Sequence, residues 1–279
     1  MDERPIGMFD SGFGGLTVAR ALIDLAPAEN LVYVGDTGRY PYGPRPLAEV
    51  REFAIEIARW LVEVHDVKLV VVACNTASAA ALEDLQGLLA VPVLGVIEPG
   101  VKSMARATRN HRAGVIGTVG TISSGAYQRA VAELEDPPEL HCAACPGFVE
   151  FVERGDTHSD QVAVLAERLL APLREAGVDT LLLGCTHYPF LARTIGEVMG
   201  REVVLVSSAD ETAFEVRDML DRLGCGRRPG QAGYHRFYSS GDVAWFQRVG
   251  SRLFGEEIGE VGSVVWSPHE CPRREARGD

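Results

Sequence analysis

The sequence predicts an α/β protein made of two similar open parallel-sheet units, related by a pseudo-two-fold axis, with a cleft between them. Three observations lead there. Lys68 to Ser78 reads KLVVVACNTAS, an apolar and β-branched run (Leu69–Ala73) that stops abruptly at Cys74, Asn75 and Thr76. Such a run suits a strand buried on both faces of a parallel sheet, and the small polar residues suit the strand-to-helix turn where ligands collect. The device recurs in Asp179 to Pro189, DTLLLGCTHYP, where Cys185, Thr186 and His187 follow the strand, 111 residues after the first cysteine. Ile6–Gly12 also resembles Val115–Thr121 at nearly that spacing. The duplication implies two related units, each offering one cysteine at the carboxyl end of a strand.

In order, Ile6–Phe9 reads as a strand, Asp10–Gly15 as a glycine-rich turn and Leu16–Leu25 as a helix. Gly12, Gly14 and Gly15 do not form the dinucleotide pattern, although such a turn can cradle an anion. Leu31–Gly35 is the next strand, ending at Asp36. Gly38–Pro46 holds three prolines and two glycines in nine residues, so it is a loop at the carboxyl edge, where loops are commonly functional. A helix over Arg51–Val64, the Cys74 strand, a helix over Ala77–Leu89 and a strand over Val91–Val96 complete the first pass.

The second unit reads as a helix at Val101–Thr108, a strand at Ala113–Gly117, a helix at Ser124–Leu134, a strand at Leu140–Cys145 and a helical turn at Phe148–Glu153. Gln161–Ala176 is a helix stopped by Gly177. The Cys185 strand, Phe190–Met199 and a strand at Val203–Val206 follow. Beyond these come a helix at Thr212–Leu223, a strand at Arg236–Ser239, a helix at Val243–Leu253 and a strand at Val261–Trp266. The expected partition is 1–97 with 208–266 as the first domain, carrying Cys74, and 98–207 as the second, carrying Cys185. Residues 267–279 form a charged tail.

A content of 46% hydrophobic and 24% charged residues is that of a globular chain. No apolar run approaches the ~20 residues that span a bilayer. The opening residues lack the features of a secretory signal, and six cysteines in that context argue for reduced thiols, so a cytoplasmic location is expected. A net charge of −12 speaks against nucleic-acid and anionic-membrane partners. An anionic substrate would then be held by backbone N–H groups and hydroxyls at helix N-termini rather than by an arginine patch.

A thiol at a strand end beside a helix N-terminus is expected to have its pKa lowered below ~8.5. Two such thiols facing each other suit inversion of a carbon stereocentre: one thiolate removes the Cα proton, and the opposite thiol returns a proton to the other face. His187 is the candidate helper of Cys185, and Asp10 and Asp36, at neighbouring strand ends, are the candidates beside Cys74. Against this stands the plainer reading of each cysteine as a small buried hydrophobe. A metal shared by Cys74, Cys185 and His187 is a further alternative, but the close ligand pairs of structural zinc are missing there. Cys142 and Cys145, beside His141, have C-x2-C spacing without a second pair or a helix start, and Cys225 and Cys271 carry no argument.

FDSGFGGLTV (9–18), GDTGRYPYG (35–43), ACNTASA (73–79), GTVGT (117–121), GCTHYPFL (184–191) and FYSSGD (237–242), in this order, resemble motifs of the glutamate racemases. The resemblance covers roughly residues 5–266. It implies cofactor-independent interconversion of L- and D-glutamate for peptidoglycan synthesis, in a homodimer without metal, with the site between two α/β domains. Cys74 and Cys185 would be the acid/base thiols, the first acting on D-glutamate and the second on L-glutamate, assisted by Asp10 and His187. Ser11, Tyr42, Gly43, Asn75, Thr76 and Thr186 match positions that hold the α-amino and α-carboxylate groups. Thr118 and Thr121 match contacts to the side-chain end, and Glu153, in a looser match, falls where a further acidic residue is common. Ser207 stands where Asp is frequent, and Gly147 and Glu150 where apolar residues and proline are usual. The competing readings are a sister racemase for aspartate or a hydantoin, a one-cysteine decarboxylase, and a gyrase-binding protein on a racemase scaffold.

Overall fold

The computed structural model describes residues 2–228, 230–255 and 258–266; the expected tail at 267–279 lies outside them. The first pass of the chain comprises β1 (Ile6–Asp10), α1 (Leu16–Leu25), β2 (Leu31–Gly35), α2 (Leu47–His65), β3 (Leu69–Val72), α3 (Asn75–Leu88) and β4 (Val93–Gly95). Next come α4 (Ile97–Ala107), β5 (Arg112–Gly117), α5 (Val119–Ser123), α6 (Ala126–Ala132), β6 (Glu139–Ala144), α7 (Phe148–Arg154) and α8 (Asp160–Glu175). β7 (Thr180–Gly184), a 3-10 turn at Tyr188–Leu191, α9 (Ala192–Met199) and β8 (Val204–Ser207) follow. The described chain closes with α10 (Ser208–Leu223), β9 (His235–Ser239), α11 (Val243–Phe254) and β10 (Val261–Ser263).

These strands form two sheets in which every pairing is parallel: β10-β9-β2-β1-β3-β4 and β6-β5-β7-β8. The order β2-β1-β3-β4 repeats as β6-β5-β7-β8. The strand before Asp10 therefore neighbours the strand before Cys74, as the strand before Thr118 neighbours the strand before Cys185. β1, β2, β3 and β7 are buried along their whole length, which is why they read as unbroken apolar runs. After Ser207 the chain returns to the first sheet: Ala213, Val216 and Leu220 of α10 share a core with Leu16 and Leu22 of α1, and β9 pairs with β2. Each fully buried Leu or Val in these layers contributes about 1.5–3 kcal/mol relative to exposure.

Several boundaries differ from expectation, for local reasons. α3 starts at Asn75, not Ala77, because Cys74 is its N-cap and its Sγ accepts from the Ala77 N–H at 3.5 Å. α10 starts at Ser208, not Thr212, because the Ser207 Oγ accepts from the Ala209 N–H at 3.3 Å. α4 starts at Ile97 and keeps Pro99 in its first turn, where backbone N–H groups have no helical partner to lose. The helix expected at Ser124–Leu134 is α6, Ala126–Ala132. A further short helix that the sequence reading did not assign, α5 at Val119–Ser123, precedes it, and the turn that separates the two holds Gly125 at φ 71°.

Candidate active site

The carboxyl ends of β1 and β3 in one sheet, and of β5 and β7 in the other, meet around a cavity of about 110 Å3. Asp10, Ser11, Cys74, Asn75 and Thr76 line it from the first sheet's side, Thr118, Cys185, Thr186 and His187 from the second, and the loop residues Tyr40 to Pro44 close it. No lysine or arginine borders it among the described residues. The two halves approach closely. An added Cβ on Gly43 would lie 2.9 Å from Thr118 Cβ, and the Gly120 N–H donates to the Gly43 carbonyl at 3.0 Å. A larger residue at 43 would push this seam apart.

The two thiols have unlike surroundings. Cys74 is 5% exposed. The expectation that its helix N-terminus would lower its pKa is overturned: burial and the neighbouring Asp10 carboxylate push the thiol up to about 12, outweighing the Ala77 N–H. Asp10 accepts from the Gly15 N–H at 2.8 Å, and burial raises its own pKa. Across the cavity, His187 Nδ1 lies 3.9 Å from Cys185 Sγ, and Nε2 lies 3.4 Å from Glu153 Oε1 without an aligned hydrogen bond. Burial opposes charge on His187, yet the Cys185 and Glu153 contacts outweigh it and raise its pKa to about 10. At neutral pH the first thiol is therefore protonated, whereas the second faces an imidazolium.

Thr76, Thr118 and Thr121 form a triangle of hydroxyls across the seam, with Oγ1 separations of 3.1, 3.0 and 2.9 Å. Thr76 and Thr118 border the cavity, and Thr121 stands behind them. The Ser11 Oγ lies 3.5 Å from Asp10 Oδ1. Tyr42 borders the cavity but donates its hydroxyl to Asp36. Asp36 is not beside Cys74 as expected. Its buried carboxylate also accepts from Arg39 Nε at 2.7 Å, Ser240 Oγ at 2.5 Å and Trp266 Nε1 at 2.7 Å, so it anchors the loop from behind.

Cavity residues that motif reading passed over include Tyr40, Val119, Cys145, Val149, Glu150 and Tyr188. Tyr40 lay in the loop flagged by its prolines and glycines, and Glu150 was visible only as a departure. Cys145 stood out only through its C-x2-C spacing with Cys142, which says nothing of the cavity, because its place on the wall depends on the pairing of β6 with β5. Among the described residues no group of three or more His, Cys, Asp or Glu could hold a metal ion, and no helix is long and apolar enough to cross a membrane.

Residues 6–214 match the family model described as Asp/Glu/Hydantoin racemase. A curated glutamate racemase from Parafrankia sp. (strain EAN1pec) is 52% identical, over 98% of this chain and 98% of its own. The chain belongs to the glutamate racemases. A glutamate racemase isoform of Bacillus anthracis superposes on this racemase with a TM-score of 0.89 at 40% identity, covering 96% of this chain and 98% of its own. The Francisella tularensis enzyme, solved with D-glutamate, gives a TM-score of 0.88 at 31% identity over 95% and 98% of the two chains. The expected family, the two-sheet α/β fold and the racemase class are all borne out by these matches.

Proposed function

We propose that this racemase interconverts L- and D-glutamate without a cofactor, by two-base proton transfer between Cys74 and Cys185. The observation that carries the reading is the placement of two cysteines at equivalent strand ends of duplicated sheets, on one small cavity, with different helpers. In the L-to-D direction, the Cys185 thiolate, held against the His187 imidazolium, takes the Cα proton while the Cys74 thiol delivers one to the opposite face. In reverse, Cys74 must give up its proton first, and Asp10, with its own pKa raised by burial, is placed to share it. The backbone N–H groups opening α3 and the hydroxyls of Ser11, Thr76 and Thr186 face the α-carboxylate and stabilise the developing carbanion. Thr118, with Thr121 behind it, faces the side-chain carboxylate, and Tyr42 and Gly43 close the loop over the substrate. Glu153 acts through His187.

The same reading places residues 1–97 with 208–266, and 98–207, as two domains that close on the substrate. It also includes a cytoplasmic homodimer supplying D-glutamate for peptidoglycan. The test is incubation of the purified protein with L-glutamate in D2O without added cofactor. Deuterium at Cα together with D-glutamate is expected, with racemisation abolished in Cys74→Ala and in Cys185→Ala. A substantial remaining kcat in either variant would sink the two-base mechanism, and exchange with aspartate alone would move the substrate.

A further inference from the structure

Asn75, the residue after one of the two cysteines, has only half of its amide engaged. Its Nδ2 donates to the Tyr127 hydroxyl at 2.8 Å, a bond that crosses from α3 to α6 of the other unit. Its Oδ1 is buried and has no partner among the described residues, and the side chain borders the cavity. An unpaired buried amide oxygen is costly, so one on a cavity wall calls for a donor from the ligand. Tyr127 itself is 1% exposed and does not border the cavity. Its hydroxyl packs on Gly184, where an added Cβ would lie 2.6 Å from it, so the residue before Cys185 leaves room for the phenol by lacking a side chain. The Tyr127 hydroxyl thus stands between the residue after one cysteine and the residue before the other.

We propose that Tyr127 is a positioning residue: by accepting from Asn75 Nδ2 it turns the Asn75 carbonyl oxygen toward the cavity, where it accepts a hydrogen bond from the substrate ammonium group. The inference rests on the amino-acid substrate proposed above. An amide free to rotate would present its NH2 group to the ammonium half of the time, setting donor against donor. The acidic wall adds to the case. Asp10 is the carboxylate on the same side of the cavity, and a substrate cation between it and Asn75 Oδ1 would satisfy both.

The experiment compares L-glutamate with glutarate, which has both carboxylates and no ammonium group, by calorimetric binding to the wild-type protein and to Tyr127→Phe. Loss of one charge-assisted hydrogen bond is expected to weaken glutamate about tenfold, while glutarate stays within about twofold. In an Asn75→Ala background, Tyr127→Phe should add nothing further for glutamate. Equal weakening of both ligands, unchanged glutamate binding or additive effects of the two substitutions would each overturn the proposal. Should Tyr127→Phe fail to fold, a fluorinated tyrosine at 127 keeps the packing and weakens the oxygen as an acceptor, with the same selective loss expected. Absence of turnover in the wild-type protein would count against the proposed function, and the binding comparison would still decide the role of Tyr127.

Discussion

Gly14→Ala is expected to disable the racemase while leaving it folded. Gly14 lies in the turn after β1, and its φ is outside the left-handed region, so alanine brings no backbone strain. What it brings is a methyl group against the other half of the site: the added Cβ would meet Thr186 Oγ1 and lie 2.5 Å from His187 Nδ1 and 2.8 Å from His187 Cε1. Comfortable separation is roughly 3.5 Å or more, so the Thr186–His187 segment must retreat by about 1 Å. Thr186 and His187 are only 5% and 3% exposed, so neither side chain can swing into solvent to make room. On the proposed mechanism, the retreat would pull the imidazolium from Cys185 and the Thr186 hydroxyl from the α-carboxylate that it is proposed to hold. A displacement of about 1 Å at a reacting group costs on the order of 100-fold in rate, or about 2.7 kcal/mol of barrier. The assay is kcat for each enantiomer by chiral chromatography, with the melting temperature recorded alongside. Gly87→Ala is the control: nothing lies within 4 Å of its added Cβ, and within α3 it should stabilise by up to about 1 kcal/mol without touching kcat. A Gly14→Ala protein that melts like the wild type and turns over within about threefold of it would refute the claim that the two halves are held at this distance.

Asp36→Ala removes the shared acceptor of Tyr42, Arg39, Ser240 and Trp266, and should cost about 3–5 kcal/mol in denaturant unfolding, with a raised KM as the Tyr42 loop loosens; a loss below about 1 kcal/mol would remove Asp36 from its anchoring role. His187 is raised from 6.5 to about 10, so its stabilising contribution is full below pH 6.5 and is lost as pH rises through about 10. The difference in melting temperature between wild type and His187→Asn should therefore shrink across that window, and a constant difference would contradict the raised pKa. Because the two enantiomers are equally stable in water, His187→Asn must lower kcat/KM by the same factor in both directions. Any asymmetry appears in kcat and KM taken separately.

The duplication was legible because it is written in local pattern. Leu69–Ala73 before Cys74 and Thr180–Gly184 before Cys185 are continuous apolar runs, and such runs are what strands buried on both faces require. The glycines and prolines around Tyr42 identified the closing loop for an equally local reason. Asp36 was misread because it ends a strand next to β1 just as Cys74's strand does, and sequence position alone does not tell which way a carboxylate turns. Ser240 and Trp266, which settle the matter, arrive more than two hundred residues later in the chain. Tyr127 carried no motif, and its meeting with Asn75 depends on how the two sheets are brought together.

The amino-acid sequence by itself determined two α/β units, a cysteine after the same strand of each, and the small polar residues around them, because strand burial, helix capping and turn chemistry act over a few neighbouring residues. Only the tertiary structure decided that the two thiols are not equivalent. Both occupy the same place in their own unit. Cys74 is pushed up to about 12 by burial beside Asp10, while Cys185 faces a His187 raised to about 10. Desolvation and charge–charge contact depend on what the rest of the chain places within a few ångströms, and no local pattern carries that information.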